Sequence, residues 1–137
     1  MRFDELAVGM TDEYSKTVTD KDVMMFADIT GDFNPVHVDE VAAKKTRFGG
    51  RIAHGMLGAG LISAAIANRL PGPGSIYLGQ TLKFTLPVRI GDTVTATIAV
   101  TEILLKRRVK LSTICTNQNG EKVIDGEATV MLDEANG

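Results

Sequence analysis

Residues 55–70, GMLGAGLISAAIANRL, constrain this chain more than any other stretch. Ser63 is the only polar side chain before Asn68, and the run stops at Pro71–Gly72. A helix that is apolar on every face has to be buried. Gly58 and Gly60 each cost about 1 kcal/mol relative to alanine inside a helix. Together with Ala59, Ala64, Ala65 and Ala67 they let a neighbouring backbone come very close. The fold must therefore provide a layer that wraps this helix.

The residues after Gly74 provide it. The apolar period changes to two in GSIYLGQTLKFTL, with a bulge expected at Gly79, and Pro87 and Gly91–Asp92 mark a turn. Residues 92–105 are rich in β-branched side chains, RRVKLSTICTNQ follows, and Asn119–Gly120 forms a hairpin turn before EKVIDGEATVMLD. These four sequential strands predict an antiparallel meander. Upstream, residues 12–18 carry a weak strand pattern. Thr19 caps a helix predicted over 20–29, with Asp20 and Asp22 in its first turn and Gly31 as its stop. Asp39 caps a short helix over 39–45 within the otherwise irregular stretch 31–53. The order predicts an α+β domain, a long antiparallel sheet wrapped around one central helix. A single helix cannot cover such a sheet, and its end strands stay unpaired. A homodimer is the expected remedy.

Composition narrows the functional classes. The chain has 137 residues, with 15 basic and 17 acidic side chains and a net charge of −2. That length suits one domain spanning 1–137, and the charge balance argues against a nucleic-acid partner. No apolar run approaches the roughly 18–20 residues that cross a bilayer. The opening MRFDELAVGM lacks the basic and apolar segments of a secretory signal, so the expected location is cytoplasmic. Cys115 stands alone, which excludes an internal disulfide or a multi-thiolate metal site.

The chemistry-bearing residues gather in the irregular stretch. Both histidines of the chain, His37 and His54, lie in or beside it. In GDFNPVH, residues 31–37, Pro35 disfavours helix at Asn34, so a turn there can bring Asp32 and His37 to one point. A carboxylate and an imidazole that converge suit work on one water, one taking a proton and the other delivering one. The plainer alternative is that Asp32 caps the loop and His37 satisfies a backbone carbonyl. In RIAHGM, residues 51–56, Gly55 opens the buried helix, where an unpaired N–H and the positive dipole end suit an oxyanion hole. His54 beside it reads as local packing. Ser63 needs a partner, either the Ala59 carbonyl or a group in the facing loop such as Asp32. A metal site drawn from Asp32, His37, Asp39 and His54 matches no zinc spacing. Lys44, Lys45, Arg47 and Arg51 flank the site and could meet coenzyme phosphates.

FADITGDFNPVHVDEVAA, followed by FGGRIAHGMLGAGLIS and GSIYLGQTLKFTLPVRIGDTV, resembles the MaoC-like (R)-specific enoyl-CoA hydratases over roughly residues 20–100. The resemblance implies a hot-dog fold, a homodimer and an acyl-CoA thioester substrate, the chemistry of fatty-acid metabolism. It implies Asp32 and His37 as the catalytic pair, Gly55 as donor to the thioester oxygen, and Ser63 and Asn34 as supporting residues. It requires no cofactor and no metal. The expected reaction is reversible hydration of a trans-2-enoyl-CoA to an (R)-3-hydroxyacyl-CoA. Two rivals are an acyl-CoA thioesterase of the same fold and a non-catalytic acyl-CoA-binding subunit. The end of the acyl pocket is expected near Met24, Leu61 or Leu78.

Overall fold

A computed structural model describes residues 1–133. Five strands, β1 (Thr11–Thr17), β2 (Ser75–Phe84), β3 (Thr93–Ile103), β4 (Arg108–Thr116) and β5 (Lys122–Leu132), form one antiparallel sheet. Four α-helices accompany them, α1 (Asp20–Thr30), α2 (Pro35–Val38), α3 (Glu40–Lys44) and α4 (Gly55–Asn68), with a single 3-10 turn at Phe3–Glu5. None of the described helices is long and apolar enough to cross a membrane.

The local signals act as expected. Thr19 Oγ1 accepts from the Asp22 amide at 3.2 Å while the Asp22 carboxylate accepts from the Thr19 amide at 2.9 Å. Each group satisfies a donor that the first turn of α1 would otherwise leave unpaired. Gly31 ends α1 in the left-handed region, with φ 81°. Asp39 caps α3 by accepting from the Ala42 amide at 3.1 Å. The ladder between β2 and β5 shifts register between Tyr77 and Gly79, at the expected bulge.

The meander needs correction. The strand order is β1-β3-β4-β5-β2, so only β3, β4 and β5 follow one another in space. β2 lies at the far edge, paired with β5 and not with β3. The turn signals at Pro87 and Gly91–Asp92 belong to a connection, residues 85–92, that crosses the end of the sheet. Its backbone groups find partners in three other segments. The Thr85 amide donates to the Val123 carbonyl at 3.0 Å, Ala53 donates to Val88 at 2.7 Å, and Gly91 donates to Val18 at 2.7 Å. A tight hairpin would leave the 51–53 segment without these partners, so the longer crossing wins.

The helix α4 lies against the inner face of the sheet, chiefly on β3 and β1. Along β3, Val94, Ala96, Ile98 and Val100 point inward and are buried, alternating with half-buried outward residues. They meet Leu57, Leu61, Ile62, Ala65 and Ile66 of α4 in one hydrophobic core. This is the sheet-around-helix arrangement of the hot-dog fold. At Gly58 a Cβ would stand only 2.7 Å from Ile124 Cδ1, so helix and sheet meet there without room for a side chain.

Candidate active site

The loop after α1 sets the position of Asp32. Thr30 Oγ1 donates to the Phe26 carbonyl at 2.7 Å and accepts from the Asp32 amide at 3.2 Å. The Asp32 carboxylate accepts from the Asn34 amide at 3.2 Å. Asn34 Oδ1 in turn accepts from the Val36 amide at 3.3 Å and caps α2, whose first residue is Pro35. Proline suits that position because its missing N–H would be unpaired there anyway. The result is a single helical turn where the sequence suggested a loop. That turn carries His37 back toward Asp32.

His37 is held from behind. Its Nδ1 lies 2.8 Å from the Ile52 carbonyl oxygen. A carbonyl only accepts, so the proton sits on Nδ1 and Nε2 is left free. Arg51 Nε donates to the His37 carbonyl at 2.6 Å, and Arg51 Nη2 donates to Asp20 at 2.7 Å. These bonds tie α2 to the segment leading into α4.

His54, the residue before α4, is 3% exposed. Its Nε2 lies 3.0 Å from the Asp32 carbonyl oxygen, so Nε2 is the protonated nitrogen. Its ring stacks on His37, with centroids 4.0 Å apart and planes at 29°, and leans on Phe26 at 4.7 Å. Side-chain ligand atoms of Asp32, His37 and His54 all fall within 4.8 Å of one another. The stacked rings are poorly placed to share a metal. Nitrogen lone pairs lie in their ring planes, and two nearly parallel rings cannot aim them at a shared point about 2 Å from each. His54 Nε2 is also committed to a carbonyl, and Asp39 is committed to the cap of α3.

Asp32, His37 and Gly55 line one cavity of about 380 Å³, with Phe84, Val94 and Ile124 among its apolar walls. Gly55 is the first residue of α4, where the N–H has no partner within the helix and the dipole end is positive. A Cβ on Gly55 would stand 2.7 Å from Phe84 Cε1. The Phe84 ring thus packs directly against the opening of α4, where only glycine leaves room for it.

The other expected residues sort differently. Ser63 lies two turns further along α4, half-buried and off the cavity wall. Among the described residues its hydroxyl has no hydrogen-bond partner. Asn34 does not line the cavity and acts as the α2 cap. Met24, Leu61 and Leu78 are absent from the lining. Of the flanking cations Arg47 reaches the cavity, while Arg51 is used to hold His37. His54 was not expected beside the pair. Its one sequence signal is that the chain's only other histidine also sits in this irregular stretch.

Comparison with known proteins gives the family. Residues 6–134 match the model of the MaoC like domain. The chain belongs to the MaoC-like family. It is 50% identical over 131 residues to an (R)-specific enoyl-CoA hydratase of Rhodospirillum rubrum, covering 95% of this chain and 90% of the relative. It is also 50% identical over 131 residues to a 3-hydroxybutyryl-CoA dehydratase of Methylorubrum extorquens, covering 95% and 83%. Among solved structures, the unliganded R-hydratase PhaJ1 of Pseudomonas aeruginosa superposes with a TM-score of 0.93 at 51% identity. That match covers 97% of this chain and 86% of the other. As a MaoC-like chain with these neighbours, the protein has the hot-dog fold.

Proposed function

We propose that this protein is an (R)-specific enoyl-CoA hydratase, adding water reversibly to a trans-2-enoyl-CoA to give the (R)-3-hydroxyacyl-CoA. The observation that carries the reading is the meeting of Asp32 and His37 on one cavity whose wall includes Gly55. The half-identity to hydratases and dehydratases of acyl-CoA thioesters supports it.

Hydration forms a C3–O bond and a C2–H bond. The thioester carbonyl makes C3 electrophilic and gathers negative charge as water adds. In this reading Asp32 and His37 hold the water between them. Asp32 takes a proton from the water as its oxygen bonds to C3, and His37, which for this step holds the pair's shared proton on Nε2 in addition to the one on Nδ1, delivers it to C2 on the same face. A proton passing from Asp32 to His37 restores the pair, so the balance is one water gained by the substrate. The Gly55 N–H donates to the enolate-like oxygen. The Ile52 carbonyl keeps Nδ1 occupied through the cycle, so only Nε2 serves the substrate. The reaction as written needs no metal and no redox cofactor.

The reading extends to the assembly. The outer face of α4 carries Met56, Gly60, Ser63, Ala64 and Ala67, and β2 exposes Ile76, Tyr77 and Leu78 at the sheet edge. An apolar helix face and an apolar strand edge favour a second copy, so the working form is a homodimer of single hot-dog domains spanning 1–137. Its place is the cytoplasm, in fatty-acid metabolism.

Incubation with crotonyl-CoA tests the activity. Loss of enoyl absorbance without release of free thiol is expected. Free thiol would make the protein a thioesterase, and tight binding with no turnover would make it a binding subunit. Asp32→Asn and His37→Gln should each lower kcat by about 100-fold or more, the usual loss for a general acid or base, with the fold intact.

A further inference from the structure

Among the described residues, His54 is the one buried polar side chain lining the cavity that the proposed reaction does not use. A histidine that only fills space satisfies both nitrogens or turns one toward water. His54 does neither. It is 3% exposed, donates from Nε2 to the Asp32 carbonyl at 3.0 Å, and has no hydrogen-bond partner for Nδ1. Its ring is packed between two others, Phe26 of α1 and His37 of α2. The groups around it are the uncharged Phe26, the His37 imidazole, and the backbone and carboxylate of Asp32, the last within 4.8 Å, and among the described residues no salt bridge joins His54 to that carboxylate.

We propose that His54 is a positioning residue that fixes both members of the Asp32/His37 pair, one through each part of its ring. The Nε2–H anchors the backbone carbonyl of Asp32 and thereby the loop that aims the carboxylate. The ring face is the wall against which His37 lies. With His37 Nδ1 bonded to the Ile52 carbonyl, one in-plane contact and one stacking contact determine where Nε2 points. Neither contact alone would do so, because a single hydrogen bond lets the imidazole swing about it. His54 is also the residue immediately before Gly55, so the same backbone segment that locates the α4 amide locates this wall. Pair and oxyanion donor are in this way referenced to one residue. The inference rests on the hydratase reading of the site for its kinetic part, and on geometry alone for its spectroscopic part.

Two substitutions separate the two contacts. His54→Phe keeps an aromatic wall and removes the donor, and His54→Gln keeps a donor and removes the wall. Each should lower kcat for crotonyl-CoA by about tenfold to a hundredfold, the loss typical of slight misplacement of reacting groups. KM should stay within about threefold of wild type, since catalysis and not uniform binding is affected. Nitrogen-15 spectra of the imidazoles give the independent readout. Wild type should show opposite tautomers, Nδ1–H for His37 and Nε2–H for His54, and His54→Gln should turn the His37 signals toward the average of a mobile ring. The proposal is overturned by kcat within twofold of wild type in both variants, or by a loss confined to KM or to the folded fraction. It is also overturned by a wild-type spectrum with the tautomers reversed or averaged, a result that needs no variant to fold. Should wild type not hydrate crotonyl-CoA, the hydratase reading fails instead. An unchanged His37 spectrum in His54→Gln would then still decide against the positioning role.

Discussion

The imidazoles of His37 and His54 stack with centroids 4.0 Å apart, although they reach that contact from different places, the turn α2 and the residue that precedes α4. Both elements are tied to the segment 51–53. Ile52 accepts from His37, its amide donates to the Val36 carbonyl at 3.2 Å, and Arg51 grips the His37 carbonyl. The segment between the two histidines therefore works as a short brace, and disturbing it should disturb the site before it disturbs the core.

Arg51 is the most exacting part of that brace. Its guanidinium is largely buried, with 13% side-chain exposure, while its partner Asp20 is 65% exposed. The bond to the His37 carbonyl should matter more than the exposed ion pair, because a backbone acceptor stripped of its donor keeps its desolvation cost. Arg51→Ala should cost about 1–3 kcal/mol in urea unfolding, and Asp20→Ala less than about 1 kcal/mol. Arg51→Lys should recover little, since one ammonium cannot reproduce the two-pronged planar contact. Equal losses from Arg51→Ala and Asp20→Ala would show that the ion pair, and not the carbonyl, is what Arg51 serves.

Gly126 marks a place where the sheet has no slack. It sits in β5 between β2 and β4, opposite Leu82 on one side and Thr113 on the other. A Cβ there would overlap the Thr81 carbonyl oxygen and crowd Gln80 Nε2 and Thr113 Oγ1. The side-chain atoms belong to a network in which Gln80 Nε2 donates to Thr113 Oγ1 at 2.8 Å, and Thr113 is fully buried. The Thr81 carbonyl accepts from Gln80 Nε2 at 2.8 Å, so it cannot turn aside without giving up that bond. Gly126→Ala should lower stability by roughly 2 kcal/mol or more, in the range of overpacked cores, with a fall in melting temperature as the measurement. A melting temperature unchanged by the extra methyl would mean that β2 shifts freely along this edge.

Some of this was legible along the chain because its causes are local. The Thr19 cap, the Gly31 stop, the Asp39 cap and the bulge before Gly79 each depend on residues within a few positions. So did the burial of α4, which follows from a run with no polar face. What escaped has distant causes. The position of β2 beside β5 depends on hydrogen bonds from 85–92 to Val18, Ala53 and Val123, which no period or turn signal encodes. A four-residue helix at Pro35–Val38 is too short to show a helical period. His54 looked like local packing because its partners, Phe26, Asp32 and His37, come from earlier elements. Asp32, His37 and Gly55 stand out in the sequence and line one cavity, whereas Ser63 stands out equally and lies off its wall.

Gly60 reports on whether a second copy covers α4. It is exposed, and nothing lies within 4 Å of the position a Cβ would take. In an isolated chain Gly60→Ala should stabilise the helix by about 1 kcal/mol. In the proposed homodimer a larger side chain there meets the partner. Wild type should sediment at twice the chain mass, and Gly60→Leu should shift the population toward monomer while helicity is retained. A monomeric wild type, or a Gly60→Leu protein that dimerises as tightly, would place the interface elsewhere or remove it.

Cys115 gives the protein an alkaline limit whose direction can be worked out. The thiol is fully buried on β4, and burial pushes its pKa from 9.0 up to about 12. Tyr77 is likewise raised, from 10.0 to about 12, first by burial and then by the nearby Cys115 charge. For an acid raised in this way, the unfolded chain loses its proton first as pH increases. The stability contribution is fully present below the unfolded value near 9 and is lost as pH rises toward about 12. Tyr77 is 40% exposed, so most of the slope should come from Cys115. Unfolding free energies measured in urea should fall between pH 9 and pH 11, by up to about 1.4 kcal/mol per pH unit for one proton. Cys115→Ala should start less stable because of the cavity it leaves, yet lose less over the same interval. A disulfide reagent at pH 8 should leave the native thiol untouched and label it completely in urea. Parallel pH slopes for wild type and Cys115→Ala, or rapid labelling of the native protein, would mean that the thiol is open to water and that something else sets the limit.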